Sequence, residues 1–336
     1  MPQVLNKQVA DIGHGLMGMT WTDTPTPIED ALKVMKRSIE VSGGRVAWNG
    51  GEFYGPPEHN SLHLLKAYFT KYPEDADKVV LCIKGGVNMQ TFQPDGSYEL
   101  LSSSVDNCNA ILGGVKKIDQ FEPARRDPNH TPTQIIQNLA RIEKEGKIGG
   151  ISLSEVGEQT IREAAKAAEE LGTKVSSVEV EFSLASPDIL HNGVAKACAD
   201  FNIPIYAYSP IGRGLLSGKV KSLADANWFA KISPRFQEGN LEENLKLVAE
   251  VEQLAEKKGC TPAQIAIAWV KNYSNKPGMP TIIPIPGASS VSRVEENLNS
   301  TITLSDDDMK HLNEAVEKVD IKGGRYPEAH SKLNWG

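Results

Sequence analysis

The chain has 336 residues, 40% of them hydrophobic and 24% charged, which is the balance of a folded globular protein with material for a large core and argues against disorder. Its net charge of -7, with Lys and Arg dispersed rather than clustered, leaves no electrostatic footprint for nucleic acid or an anionic membrane. No apolar run approaches the roughly 18 residues that would read as a membrane span.

Met1 to Val9 lacks the apolar segment of a secretory signal, so the expected location is the cytoplasm. Cys82, Cys108, Cys198 and Cys260 are far apart and form no CxxC, and read as reduced thiols rather than a disulfide framework. Gly13-His14-Gly15-Leu16-Met17-Gly18 matches the dinucleotide pattern GxGxxG. That fingerprint needs a helix opening at the glycines, whereas Met19 to Pro25 starts no helix, so the segment is read as a tight glycine turn in an N-terminal hairpin.

Short β-branched runs follow at Arg45 to Trp48, Val79 to Ile83, Lys117 to Phe121, Ile148 to Leu153, Ser176 to Val180, Pro204 to Tyr208 and Thr281 to Pro284, with a weaker one at Ser300 to Thr303. Helical periodicity lies between them, at Pro27 to Val41, Asn60 to Tyr72, Thr131 to Lys144, Glu158 to Leu171, Asp188 to Phe201 and Glu242 to Lys258. Thr131-Pro132 and Thr261-Pro262 are helix starts, and Gly146, Gly172 and Gly259 stand where helices should stop. Strands alternating with helices imply a parallel sheet with crossovers. No linker divides the chain, and the expectation is one α/β domain over residues 1–336, a (β/α)8 TIM barrel with an N-terminal hairpin and a C-terminal tail over the substrate.

In such a barrel functional groups gather at the carboxyl ends of strands. Trp48-Asn49-Gly50-Gly51-Glu52-Phe53-Tyr54-Gly55 follows the first run, Lys84-Gly85-Gly86 the second, Ala124-Arg125-Arg126-Asp127 the third and Ser154-Glu155 the fourth. A tyrosine suits carbonyl reduction because its phenol can protonate the forming alkoxide, but its free pKa of about 10 is high for that task. A lysine ammonium beside it would lower that value. Tyr54 and Lys84 are the proposed pair, the plain alternatives being a loop tyrosine and a lysine reaching for solvent. The histidines are scattered without HxH or HExxH spacing, so no metal is expected.

These segments resemble the aldo-keto reductases over nearly the whole chain. Tyr54-Gly55 and Lys84 match the family's tyrosine and lysine. Gly146-Lys147-Ile148 with Gly150 to Ser154 is similar to its G-K-I-R-x-I-G-x-S segment, which implies Ser154 on the nicotinamide carboxamide. Ala207 to Lys219 resembles its next loop, implying that Tyr208 stacks on the nicotinamide and that Ser209, Gly212, Gly214 and Leu216 line the cofactor. Ile285-Pro286-Gly287-Ala288-Ser289, then Arg293 and Glu296-Asn297, looks like the grip on the adenosine 2'-phosphate and adenine. A phosphate dianion favours a guanidinium, hydroxyls and the N–H groups of a helix start, so Gly287, Ser289, Arg293, Glu296 and Asn297 imply NADPH. Glu179 stands where many relatives have a glutamine beside the nicotinamide.

Two positions depart from the family. Asn49 replaces the aspartate that pairs with the lysine, and Ala124 replaces the histidine. The first departure is expected to deprive Lys84 of a charge partner. The second removes a donor to the carbonyl, a loss of roughly 10²-fold or more, and leaves space for a ring aldehyde carrying its own hydroxyl groups. With Gly50 to Gly55 and Ser154-Glu155-Val156, this looks like the fungal pyridoxal reductase branch, which implies reduction of pyridoxal to pyridoxine. Trp21, Phe53, Ala124 and Arg125 are candidate substrate contacts. Ser217 to Asn240 and Lys322 to Gly336 are candidate lids, with Arg325 and Tyr326 touching substrate or, for the arginine, simply solvated. The expected partner is a small aldehyde, with no nucleic acid or membrane, and the expected assembly a monomer or weak homo-oligomer. The alternatives are a reductase of other aldehydes, or an NADPH-binding regulatory barrel that Asn49 and Ala124 have made catalytically idle.

Overall fold

A computed structural model describes residues 1–274, 276–298, 301–331 and 333–336. Strands β1 (Gln3–Val4) and β2 (Lys7–Gln8) form an antiparallel hairpin. Leu5 and Asn6 turn it with φ of 51° and 61°, the left-handed pair that matches hairpin twist. Eight parallel strands follow, in the spatial order β3 (His14–Gly15), β4 (Val46–Gly51), β5 (Val79–Gly85), β6 (Gln120–Pro123), β7 (Ile151–Ser154), β8 (Val175–Glu181), β9 (Ile205–Tyr208) and β10 (Ile282–Pro284). Gly13 N donates to Pro284 O at 2.9 Å and Gly15 N to Pro286 O at 3.1 Å, and a parallel bridge joins Gly15 to Gly287. The sheet thereby closes on itself as the expected (β/α)8 barrel.

The helices are α1 (Met17–Thr20), α2 (Ile28–Ser42), α3 (Ser61–Lys71), α4 (Tyr98–Leu112), α5 (Pro132–Lys144), α6 (Glu158–Glu170), α7 (Val194–Asp200), α8 (Trp228–Lys231), α9 (Asn240–Lys258), α10 (Pro262–Asn272), α11 (Val291–Leu298), α12 (Asp306–Lys318) and α13 (Glu328–Ser331). Thr131 and Thr261 cap α5 and α10 reciprocally with Gln134 and Gln264, and a proline fills each first turn, as the sequence predicts. The predicted helix over Asp188 to Phe201 is instead a 3-10 turn followed by α7, divided at Gly193, whose φ of 83° no helix accepts.

Two expectations are corrected. The glycine segment is no hairpin turn, because His14–Gly15 is the first barrel strand and, contrary to the expectation that no helix opens there, the single turn α1 starts at Met17. A Cβ at Gly13 would lie 2.7 Å from Ala47 O, and one at Gly15 3.0 Å from Ile285 O, so glycine there lets three backbones close the seam. With β3 in that place, Thr301 to Thr303 forms no strand, and Ser300 lies outside the described residues.

Alternation along the strands separates two interiors. Trp48, Leu81, Ile83, Phe121, Ile151, Val178 and Val180 face the helices in the main apolar core. Ala47, Val80, Cys82, Tyr206, Ile283 and Ile285 pack with Val4 and Val9 of the hairpin segment, which close the amino end of the barrel. Lys7 ties that plug to Asp119 at 2.7 Å. Above it Gln120 Nε2 shares its two hydrogens among the hydroxyls of Ser152, Ser176 and Ser177, and its Oε1 accepts from the Tyr206 hydroxyl. The buried amide is therefore satisfied, and polarity rises toward the carboxyl end.

Candidate active site

Tyr54 lies in the turn leaving β4. Its ring rests on the backbone of Gly51, where a Cβ would come within 2.9 Å of the ring. Ser61 Oγ accepts from Gly51 N and donates to Gly51 O, both at 2.9 Å, while Thr20 Oγ1 donates to Tyr54 O at 2.7 Å. Gly55 completes the turn at φ 112°. Glu52 accepts from Ser104 and Asn107, and burial pushes its carboxyl up. The turn is thus fixed by side chains from α1, α3 and α4.

Lys84 pairs in register with Gly51 on β4 and Glu122 on β6. Its ammonium faces the Tyr54 phenol. Burial raises the phenol pKa, the Lys84 charge lowers it, and the charges of Glu179 and Glu122 raise it again, leaving it above its ordinary value. Lys84 Nζ bonds Glu122 Oε1 at 2.7 Å and Glu179 Oε1 at 2.6 Å. Asn49 Nδ2 donates to Glu179 Oε2 at 2.5 Å and Glu122 Oε1 at 3.2 Å. The expected loss of a charge partner at Lys84 is therefore corrected, since carboxylates reach it from β6 and β8. They hold Lys84 well above its ordinary pKa despite burial. Glu179, expected beside a nicotinamide, spends both carboxyl oxygens on Lys84 and Asn49.

An aromatic wall stands beside the phenol. Trp21 has ring centroids 5.9 Å from Phe53, Tyr54 and Trp228 and 6.3 Å from Phe229, and Trp228 Nε1 donates to Trp21 O at 3.1 Å. Trp228 and Phe229 sit in a long connection without a regular period, so no local pattern in the sequence marks them as part of the wall. Ala124 is buried at the end of β6, and Arg125 donates to Ala124 O and lies 5.4 Å over the Tyr326 ring.

The tail crosses the same end of the barrel. Arg325 is 7% exposed and forks onto Glu155 at 3.0 and 2.9 Å, so the solvated alternative does not hold. Tyr208 donates to Glu155 Oε1 at 2.8 Å and meets the Tyr326 hydroxyl at 2.9 Å. Arg213 donates to Arg325 O at 2.6 Å and lies 4.4 Å over Tyr326. Ser209, Gly212, Arg213 and Gly214 hold this loop with φ of 49°, 58°, 58° and 99°, and Leu216 anchors it in the core.

Ser154, which ends β7 just before Glu155, has its Oγ buried without a hydrogen-bond partner among the described residues. His14 Nε2 contacts Ala288 O at 3.3 Å, and burial lowers its pKa to about 4, so the neutral ring donates. Gly287 and Ser289 are exposed, and Asn297 Nδ2 donates to Gly287 O at 3.2 Å. Ser290 Oγ accepts from Arg293 N at 3.4 Å. The Arg293 guanidinium is exposed and bonds none of the described residues, whereas Glu296 is half-buried. Elsewhere Asp95, Asp127 and His130 bring possible metal ligands together, but their oxygens accept from Ser97 N, Gly96 N and Asn129 in turns.

Residues 11–317 match the sequence profile of the aldo/keto reductase family. The chain belongs to that family. A putative pyridoxal reductase of Saccharomyces cerevisiae is 40% identical to it, the match covering 95% of this chain and 96% of that one. A probable pyridoxal reductase 2 of Schizosaccharomyces pombe is 38% identical over 97% of each. A glycerol dehydrogenase from Gluconobacter oxydans shares the fold with a TM-score of 0.78, 18% identity and 95% coverage of both chains. The protein is thus an oxidoreductase of the aldo/keto reductase family. Against the family pattern, its lysine keeps acidic partners but takes them from strands β6 and β8 rather than from position 49.

Proposed function

We propose that this single barrel domain reduces an aldehyde to an alcohol with NADPH, and that the aldehyde is pyridoxal. The observation that carries the reading is the Tyr54 phenol held against the Lys84 ammonium beside the Trp21 and Phe53 rings. Planar walls suit a pyridine ring. NADPH, when bound, supplies the hydride. The residues fit it: Ser154 Oγ is an orphaned buried hydroxyl at the end of β7, and Arg293 offers an exposed guanidinium with no ion-pair partner among the described residues, near Ser289 and the start of α11.

In this reading Tyr54 donates its proton to the carbonyl oxygen as that oxygen gains charge, and Lys84 stabilises the phenolate left behind. Ala124 leaves room that a histidine would fill. Arg125 and Tyr326 bound the pocket on the tail side, and Tyr208, fixed by Glu155 and Tyr326, offers a flat face to the ring that delivers hydride. The names of the yeast relatives support pyridoxal as the substrate. The free thiols at Cys82, Cys108, Cys198 and Cys260 suit a reducing, cytoplasmic setting.

Steady-state NADPH consumption with pyridoxal against benzaldehyde and short aliphatic aldehydes tests this directly. A higher kcat/KM for pyridoxal is expected, and no consumption with any aldehyde would refute the reading. For the cofactor, hydrogen bonds to a charged phosphate contribute about 1.5–3 kcal/mol, so Arg293→Ala should raise the Kd for NADPH roughly 10- to 100-fold. NADH affinity should stay within about twofold, because NADH lacks the phosphate; equal losses for both nucleotides would remove Arg293 from that role.

A further inference from the structure

Four side chains from four strands meet in the barrel interior: Asn49 on β4, Lys84 on β5, Glu122 on β6 and Glu179 on β8. None is more than 5% exposed. Among the described residues Lys84 is the cation bonded to the two carboxyl groups, and Asn49 contributes a neutral amide. Tyr54, Cys82 and Tyr206 also face the cluster, and burial pushes each of them up, which keeps them neutral. Two ionised carboxylates against one ammonium would leave a net negative charge away from water. Buried groups relieve such an excess by taking up a proton.

The geometry provides a place for that proton. Glu122 Oε2 is buried and has no hydrogen-bond donor, and the Glu122 and Glu179 carboxyl groups meet on the same two donors, Lys84 Nζ and Asn49 Nδ2. One proton taken up by the two carboxyl groups leaves the cluster neutral.

We propose that Glu122 and Glu179 are positioning residues that together replace the carboxylate absent at position 49, and that they share one proton which returns through Lys84 to Tyr54 in each turnover. The proposal rests on the roles given to Tyr54 and Lys84 above. The Tyr54 O–H bond breaks as its proton goes to the alkoxide oxygen. The phenolate then takes a proton from Lys84, and the resulting amine takes the proton shared by the carboxyl groups. That pair, now doubly ionised, is reprotonated from water once the product has left.

Burial and the Glu122 charge push Glu179 up to about 8, so the shared proton is present at neutral pH and is lost as the pH rises through that range. The doubly charged pair then holds the lysine proton more tightly and disfavours phenolate, so kcat falls on the alkaline side.

The test uses Glu122→Gln and Glu179→Gln, each of which leaves Lys84 one carboxylate but removes the shared proton. In the resting protein without substrate, infrared spectra at neutral pH should show a protonated carboxyl band that both variants lose. The alkaline fall in kcat, expected near pH 8 from the Glu179 position, should disappear in both. The E122Q/E179Q double variant leaves the ammonium unpaired and should lose about 10²-fold or more in kcat. Adding Asn49→Asp to it returns a carboxylate and should recover at least about tenfold of that loss.

Persistence of the band or of the alkaline limb in the single variants would overturn the proposal. So would an N49D addition without gain in a double variant that still folds by circular dichroism and binds NADPH; if the double variant does not fold, the single variants decide. A protein that reduced no aldehyde but lost its carboxyl band in E179Q would contradict the proposed function and leave the shared proton standing.

Discussion

Tyr54→Phe is expected to lower kcat by roughly 10²- to 10⁴-fold, the usual contribution of a positioned general acid, while NADPH continues to quench tryptophan fluorescence with unchanged affinity. The substitution removes one oxygen and keeps the ring that packs on Gly51 and against Trp21 and Phe53. Lys84 stays paired with Glu122 and Glu179, so no charge is stranded and the denaturation midpoint should hardly move. That separation is the reason to choose Phe over Ala, which would also empty the wall of the pocket. A variant within about tenfold of wild-type kcat would show that the proton comes from another group.

The second large effect is on stability. Arg325→Met should destabilise the fold by about 3–5 kcal/mol, the range found when one member of a buried ion pair is removed. Glu155 is fully buried and adopts φ 54°, an uncommon conformation for a side-chain-bearing residue. Its backbone oxygen accepts from Gly336 N, and its carboxylate accepts from Arg325 and Tyr208. Without the guanidinium that carboxylate keeps its burial and loses its counterion. Glu181 is better insured, because Arg213 and Arg235 also reach it and hold its pKa below the ordinary value against burial. Adding Glu155→Gln to the Met variant should recover part of the loss. A midpoint in urea corresponding to less than about 1 kcal/mol of change would show that the tail is held by other contacts.

The sequence made the barrel legible where strands carry β-branched runs, as at Val79–Gly85 and Val175–Glu181. It hid β3, since two residues of which one is glycine give no strand period, and the glycines read instead as a tight turn in a hairpin. The Tyr54 and Lys84 positions were readable from local motifs. Glu122 was not, because the predicted strand stopped at Phe121, just before a charged residue that in fact continues the inward-facing alternation from Gln120. Glu179 reads from sequence as a neighbour of the nicotinamide. Its meeting with Lys84 spans the barrel from β8 to β5, and that proximity is a property of closure rather than of any window of sequence. The tail latch was hidden for the same reason, since a lone arginine near a chain end carries no mark of the glutamate it will fork onto.

Asn49 has a consequence for anyone tempted to repair the site by consensus mutagenesis. Asn49→Asp on its own would set three acids around one ammonium and replace the amide that now donates to both glutamates with a group that only accepts. Like charges crowded in a dry interior raise one another's pKa and loosen the fold, so the family's own residue should here lower the melting temperature, and an unchanged melt would argue against this crowding. In this barrel the lysine already has its acids from β6 and β8, so a carboxylate at position 49 would be one too many.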